Sequence, residues 1–545
     1  MKTKIIMSFK VFCAVLTVLL IATPSGLEAR KKTAKGIVFE DTNRNNVLDK
    51  GEKGIPGVVV SNQCDVVQTD NKGHFRLPLG KEAVIFISKP AGYNVPVDEN
   101  NLPRFYYIHR PKGSPSGLKY KGIAPTGKRP RFLHFPLIKG KLEQNFNVVI
   151  MGDPQTRTPQ ELDFYRDEVV AGLMGTTARF YLALGDIMYN DLSLFDKMNR
   201  LVGQMGIPIY HVQGNHDMNF HAPDYTYEGE TFKKFYGPDY YSFNYGKVHF
   251  VVLNTVKYKG WNKKENKKGD YTGYIHEKQL TWLKNDLSFV PADHLIVFSM
   301  HIPVDSEVFR EEATIVMNRG AFFKILEKRE HLLALAGHMH FVEYQEFTKR
   351  NGWHGNAVFP SLTAGAACGT WWHGPPDTRG IPFGMCSDGA PNGYFIFTFK
   401  GNRFHYRFHP CSPNPHSQMR INSPKGTLSL QDLKDRQITI NVNVFAGTLR
   451  TLVSYELDDG PETVMERKMM KDPFFAKLVT EYKDSYLEWM EPTISTHIWE
   501  APLPKGLKPG IHRLKITVKD RQGNVFTAYR LFEIASPASG VTTCR

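Results

Sequence analysis

The rhythm of hydrophobic and polar positions changes twice along the chain. From residue 30 to 140 the apolar residues come in short runs, GIVFEDTN, GVVVSNQ, VVQTDNKGHFRLPL and AVIFISK, cut by Gly, Asn and Asp. Such runs predict β-strands, and DNKG predicts a hairpin. Pro and Gly thicken over 111–136, as at a linker or an irregular domain edge. At Phe146 the texture shifts. FNVVIMGD is an apolar strand ending in a carboxylate, and Leu162, Tyr165, Val169 and Leu173 then follow at helical spacing. FYLALGD is a second such strand, 192–204 a second helix, and IPIYHVQGNHD a third strand. LIVFSMH and LLALAGHMH come later, each after a helical stretch. Strands alternating with helices predict an α/β core. Residues 341–408 read as strands that finish the sheet, interrupted by a loop over 369–393. Residues 420–537 return to β-rich texture in QITINVNVFAG, HRLKITVKD and NVFTAYRLFEIA, with a helical insert near 472–482. The expected division is an all-β domain at 30–140, an α/β domain at 141–410 and a β-rich domain at 411–545.

The first residues predict the compartment. Lys2, Lys4 and Lys10 precede an apolar run over 11–22, broken by Thr17, and Pro24 leads to a cleavage position after Ala29. Residues 1–29 therefore read as a secretory signal peptide, too short to span a bilayer comfortably. No other stretch resembles a membrane span. The expectation is an exported protein, periplasmic, extracellular or at the cell surface. Of six cysteines, Cys13 lies in the leader and Cys64, Cys368, Cys386, Cys411 and Cys544 remain, without metal-like spacing. Export permits disulfides. Cys368 and Cys386, which flank one loop, are the expected pair, with unpaired thiols as the alternative.

Composition narrows the classes. With 545 residues, 41% of them hydrophobic and 23% charged, the chain is neither disordered nor a single small module. A net charge of +15 suits an anionic partner. The basic residues are scattered, with a local cluster over 257–268, and no familiar nucleic-acid motif is present, so a nucleic-acid partner is not expected.

Five segments carry candidate chemistry: Asp153-Pro154-Gln155, Gly185-Asp186, Gly214-Asn215-His216-Asp217, His301 and Gly337-His338-Met339-His340. Each closes an expected strand, so the side chains fall at the carboxyl edge of a sheet, where open α/β folds hold their sites. Carboxylate, amide oxygen and imidazole together suit Mn, Fe or Zn rather than a thiol-seeking ion. A carboxylate shared between two such ions, with His and Asn completing the shells, makes a two-metal centre.

These segments resemble the calcineurin-like metallophosphoesterase family, whose pattern is D-x-H, G-D, G-N-H-D/E, H and G-H-x-H. The similarity covers roughly 146–408. The flanks resemble, more weakly, the β-sandwich-type modules that accompany this enzyme in an exported bacterial subgroup. The resemblance implies an α/β metallophosphoesterase β-sandwich flanked by helices (αββα), with all-β N-terminal and C-terminal domains. It implies that Asp153 and His340 bind one ion, that Asp186 bridges both, and that Asn215, His301 and His338 bind the other. His216 would stabilise or protonate the leaving oxygen, with Asp217 orienting its ring. Gln155 stands where the family has His, so it is either a weaker ligand or no ligand.

Two further features complete the reading. In the 369–393 loop, Trp371, Trp372 and His373 suit a rim that stacks on a sugar or base, and Arg379 suits a phosphate. The alternative is a loop whose aromatics pack inward. Asp41, Asn43, Asn45, Asp49 and Glu52 fall at positions 1, 3, 5, 9 and 12 of a calcium loop, with Asn46 where Gly is usual. An Asx-rich turn without metal is the alternative there. The expected function is hydrolysis of phosphate mono- or diesters, on a phosphorylated small molecule or glycoconjugate. The competing class is an inactive phosphoesterase fold that serves as a surface or carbohydrate-binding protein.

Overall fold

The computed structural model describes residues 33–535 apart from 412, 413 and 415. The leader at 1–29, Cys13 and Cys544 lie outside the described residues. The central region holds two mixed sheets. One has five strands, in the order Ile209–His211, Tyr181–Ala183, Asn145–Met151, Gly393–Lys400 and Arg403–Pro410; its first three are parallel. The other has six, in the order Tyr241–Tyr245, Val248–Val252, Leu295–Ser299, Leu332–Ala336, Phe359–Ala364 and Val342–Phe347. The sheets pack face to face through aromatic side chains. Phe146 meets Phe250 at 6.4 Å between ring centroids, Phe250 meets Phe399 at 5.4 Å, and Phe180, just before its strand, meets Tyr245 at 4.9 Å.

Helices cover both outer faces. The helical run over 159–173 begins at Thr158, whose side chain accepts from the Glu161 amide, and passes through a π turn at Arg166–Val170. Its expected face, Leu162, Tyr165, Val169 and Leu173, is buried. It and Phe195–Gly203 link the parallel strands of the first sheet, while Glu277–Leu287 and Arg319–Leu326 do the same for the second. This is the αββα layering.

The N-terminal strands form two four-stranded sheets, and DNKG shows how. The turn closes, with the Gly73 amide donating to the Asp70 carbonyl at 2.9 Å. Its flanking strands, Val66–Gln68 and His74–Pro78, then enter different sheets, so DNKG is an arch between layers and not the expected hairpin. The irregular stretch after His109 is held against the central region. Arg110 pairs with Glu230 at 2.9 Å, and the Tyr120 hydroxyl donates to the Asn190 carbonyl at 3.0 Å. Lys89 pins the same interface: its buried ammonium donates to the carbonyls of Tyr93 and Asn244 at 2.9 and 2.7 Å.

The C-terminal region has its own core between a four-stranded and a five-stranded sheet. The expected insert is the helix Pro473–Glu481, capped by Asp472. Its Phe475 packs with Tyr486 and Met490 against Met385.

The expected cysteine pair does not form. Cys368 and Cys386 are free thiols, as are Cys64 and Cys411. Cys368 Sγ turns to Gln155 Oε1 at 3.8 Å, and Cys386 Sγ to the Ala366 carbonyl at 3.7 Å. Burial pushes both thiols up, so both stay protonated.

Candidate metal centre

The carboxyl ends of strands from both sheets converge, and the five predicted segments meet there. The turns are tight. Asp153, Asp186, His338 and His340 take positive φ of 37°, 48°, 74° and 52°. Non-glycine residues in that region cost about 1–3 kcal/mol each and persist only where the surroundings over-determine them. Close approach explains the glycines that precede the ligands. A Cβ on Gly185 would lie 2.6 Å from His301 Nδ1, and one on Gly337 would lie 2.6 Å from Asp153 Oδ2.

Each histidine is held in one orientation by a carbonyl. His301 Nδ1 donates to Leu184 O at 2.8 Å, His338 Nε2 to Ala313 O at 2.9 Å, and His340 Nδ1 to Gly369 O at 2.9 Å. The other ring nitrogen, Nδ1 in His338 and Nε2 in His301 and His340, carries a lone pair once the ring is neutral, the usual arrangement of a metal-ligating imidazole. His301 Nε2 faces Asp186 Oδ2 at 3.2 Å and Asn215 Oδ1 at 2.9 Å. His340 Nε2 lies 3.8 Å from Asp153 Oδ1. Ligand atoms of Asp186, His301 and His338 all fall within 4.8 Å of one another. Lone pairs and carboxylate oxygens pointed at one another need a positive charge between them. A proton can serve: burial lowers His301, but Asp186 and Asp153 outweigh it and lift its pKa to about 9. Burial would likewise raise Asp186, yet His301 and His216 hold it low. Burial presses His338 to about 3 and His340 to about 4, so both are neutral and ready to ligate. The donor set fits transition-metal ions.

Gln155 occupies the departing position. Its Nε2 donates to Asp186 Oδ2 at 3.0 Å, and its Oε1 faces the Cys368 thiol. It hydrogen-bonds the Asp186 carboxylate through its amide N–H and turns its oxygen to Cys368.

His216 stands beside the cluster. Its amide donates to Asp186 Oδ1 at 2.8 Å, and its ring stacks on Tyr189 at 4.5 Å. Its Nδ1 donates to Asn190 Oδ1 at 2.7 Å, leaving Nε2 4.0 Å from Asp186 Oδ2. Burial lowers His216 to about 4, and the charges of Lys268, His301 and Arg157 add to that effect. The expected role of Asp217 is corrected. Its buried carboxylate accepts from the amides of Ile187, Met188 and Gly214 at 2.9, 3.1 and 2.9 Å, so it ties two loops together. Asn190 orients the His216 ring.

The aromatic loop divides. Trp371 stacks on His340 at 4.0 Å and 18°, and His373 sits 2.9 Å from Arg157. Trp372 is no rim residue: it is buried, donates to the Pro154 carbonyl at 3.0 Å, and packs on Phe164 and Tyr165. Arg379 is also corrected, since Glu168 and Asp377 pair with its guanidinium and use its charge. The cations near His216 are instead Arg157, 4.9 Å over the Tyr189 ring, and Lys268. A cleft of about 490 Å³ beside Asn215 is lined in part by Lys259, Lys268 and Tyr271. Asn190, Tyr189 and Arg157 were missed in the sequence. The one available signal was that Tyr189 and Asn190 follow Asp186 by three and four residues, in the same strand-end loop.

In the 41–52 loop the polar groups satisfy one another. Asp41 accepts from the amides of Arg44 and Asn46 at 2.7 and 2.8 Å, and Glu52 from those of Thr42 and Asp49 at 2.8 and 3.0 Å. Asn43 and Asn45 each turn an amide N–H to Asp49 at 2.8 Å. The five positions thus gather in one loop, with Asn46 at φ 64°.

Three family models match the chain in order: the N terminal of calcineurin-like phosphoesterase over 41–123, calcineurin-like phosphoesterase over 146–342, and the C terminal of calcineurin-like phosphoesterase over 362–526. Together they cover most of the chain, which belongs to the calcineurin-like phosphoesterase family and carries its N- and C-terminal extension domains. The class is that of a metal-binding phosphoester hydrolase. No curated protein matches the chain. A solved structure of a purple acid phosphatase from yellow lupin (Lupinus luteus) seeds aligns with 65% of this chain and 67% of its own, at 14% identity and a TM-score of 0.34. Among the described residues no helix is long and apolar enough to cross a membrane.

Proposed function

We propose that the chain is an exported hydrolase of phosphate mono- or diesters that works with two transition-metal ions of the Mn, Fe or Zn type. The observation that carries this reading is the set of three histidines, each locked by a carbonyl through one ring nitrogen, with the other nitrogens converging on two buried carboxylates. Asp153 and His340 would hold one ion, Asn215, His301 and His338 the other, and Asp186 both. Such ions supply Lewis acidity, acidifying water and offsetting charge on phosphoryl oxygens.

The chain's own groups do the rest. Arg157 and Lys268 draw the phosphate toward His216. Asn190 and Tyr189 hold the His216 ring with Nε2 toward the cluster. A pKa near 4 keeps the free ring neutral. The negative charge of a docked phosphate favours a proton on that ring, the form that can protonate a leaving oxygen. We also propose the domain limits 30–140, 141–410 and 411–545, and a substrate that is a phosphorylated small molecule or glycoconjugate.

The test is hydrolysis of a panel of phosphomonoesters and phosphodiesters by the mature chain, with Mn, Fe or Zn and with a chelator. Metal analysis should find about two ions per chain. Undiminished activity in a metal-free preparation overturns the reading.

A further inference from the structure

One short stretch of the C-terminal domain reaches His340 by three separate routes. The first runs through its backbone oxygen. Ser387 holds the His340 carbonyl with its amide at 2.8 Å and its hydroxyl at 3.1 Å. Thr493 holds Ser387 in turn, amide to carbonyl at 2.8 Å and hydroxyl to hydroxyl at 2.9 Å. The second runs through the following strand. The Val342 amide donates to Asp388 Oδ2 at 2.7 Å, and His497 Nε2 donates to the same oxygen at 2.7 Å. His497 is itself fixed, with Nδ1 on Asn443 Oδ1 at 2.8 Å. The third runs through the ring. Trp371 stacks on the His340 imidazole at 4.0 Å, and Trp489 packs edge-on against Trp371 at 4.5 Å and 74°.

His340 needs such support. Its φ is +52°, a conformation that a non-glycine residue keeps only when neighbours impose it. Its ring plane is set between the Gly369 carbonyl and the Trp371 face. All three routes start in residues 489–497, which lead into the strand Ile494–Pro502 of the C-terminal region, whose main hydrophobic core is separate. That core has no need of contacts to a strand end of the catalytic sheet.

We propose that segment 489–497 of the C-terminal domain is a clamp on the metal centre: Thr493, His497 and Trp489 are positioning residues that set the backbone and ring plane of His340, and so the affinity for the ion held with Asp153. The inference rests on the reading of the cluster as a metal centre. It gives the C-terminal domain a part in the site that no motif of its own announces.

The full chain is stripped with a chelator and titrated calorimetrically with Zn²⁺ or Mn²⁺ alone. Wild type should take up two ions. Thr493→Val and Trp489→Ala should keep one at wild-type affinity and bind the other about 10–100-fold more weakly, the usual effect of removing a partner that orients a ligand. Trp489 is 54% exposed, so its replacement does not threaten folding. Trp489→Phe should restore much of the lost affinity. Arg450→Ala breaks a different contact to the catalytic sheet, the 2.6 Å pair with Glu346, and should leave both affinities unchanged. Unfolding in the presence of chelator separates loss of stability from loss of affinity. Both ions bound as in wild type by Thr493→Val and Trp489→Ala would overturn the clamp. So would an equal loss in Arg450→Ala, which would reduce the effect to general domain docking. A wild-type chain that takes up neither ion overturns the metal-centre reading, and the clamp with it.

Discussion

Replacing Asp217 with alanine should loosen the floor of the metal centre far more than it disturbs His216. The carboxylate is fully buried and accepts from three backbone amides, of Ile187, Met188 and Gly214, at 2.9, 3.1 and 2.9 Å. Two of those amides directly follow Asp186, and the third precedes Asn215. Alanine leaves all three donors in a buried space without an acceptor. Each such group costs about 1–3 kcal/mol, and a trapped water recovers part of that, so a loss of about 3–6 kcal/mol is expected. For a domain of this size each kcal/mol moves Tm by roughly 2–4 °C, which puts the fall between about 6 and 24 °C. Asp217→Asn should be intermediate, because it keeps one oxygen but turns an N–H against another donor. The assay is thermal unfolding with chelator present, so that release of ions does not contribute. A variant with wild-type Tm and sharply reduced turnover would refute this account and return Asp217 to the role of aligning His216.

Asn190→Ala should leave Tm and metal content close to wild type while lowering kcat, by up to about 10²-fold for alkyl esters whose leaving oxygen needs a proton. Nitrophenyl esters should suffer less, and an equal loss for both would refute the orienting role. The affinity for metal should rise with pH. His301, raised to about 9, must shed its proton before it can ligate, so affinity climbs until pH reaches about 9 and then levels. His338 and His340, lowered to about 3 and 4, add no slope above pH 5. Competition titrations across pH 6–10 check this, and a flat profile contradicts it. Asp186→Ala should weaken both ions, whereas Gln155→Ala removes a hydrogen bond from Asp186 and should weaken them less. Equal metal loss in the two variants would make Gln155 a ligand.

The ligand segments were legible in the sequence because their chemistry is local. An apolar strand followed by Gly and a polar residue encodes both a buried β-run and the turn at its end. The helix face of Leu162, Tyr165, Val169 and Leu173 was legible for the same reason, since a period of 3.6 is a property of neighbours. DNKG was half legible. Its composition determined a turn, but which sheet each flanking strand joins depends on partners up to tens of residues away.

What the tertiary structure alone decided follows the same division. Chain composition cannot tell a rim tryptophan from a core one, and Trp371 and Trp372 are adjacent. Their fates diverge because one faces His340 and the other meets Phe164 and Tyr165 across the loop. The charge on Arg379 is used by Glu168, 211 residues earlier, and only folding brings them together. Asp217 follows His216 in sequence yet serves backbone amides, while Asn190, 26 residues upstream, takes the ring. Residue type and spacing thus determined which side chains are able to bind an ion. Which atoms face inward, and what holds them there, was decided by packing between distant elements, because a hydrogen bond depends on position in space and a sequence records only order along the chain.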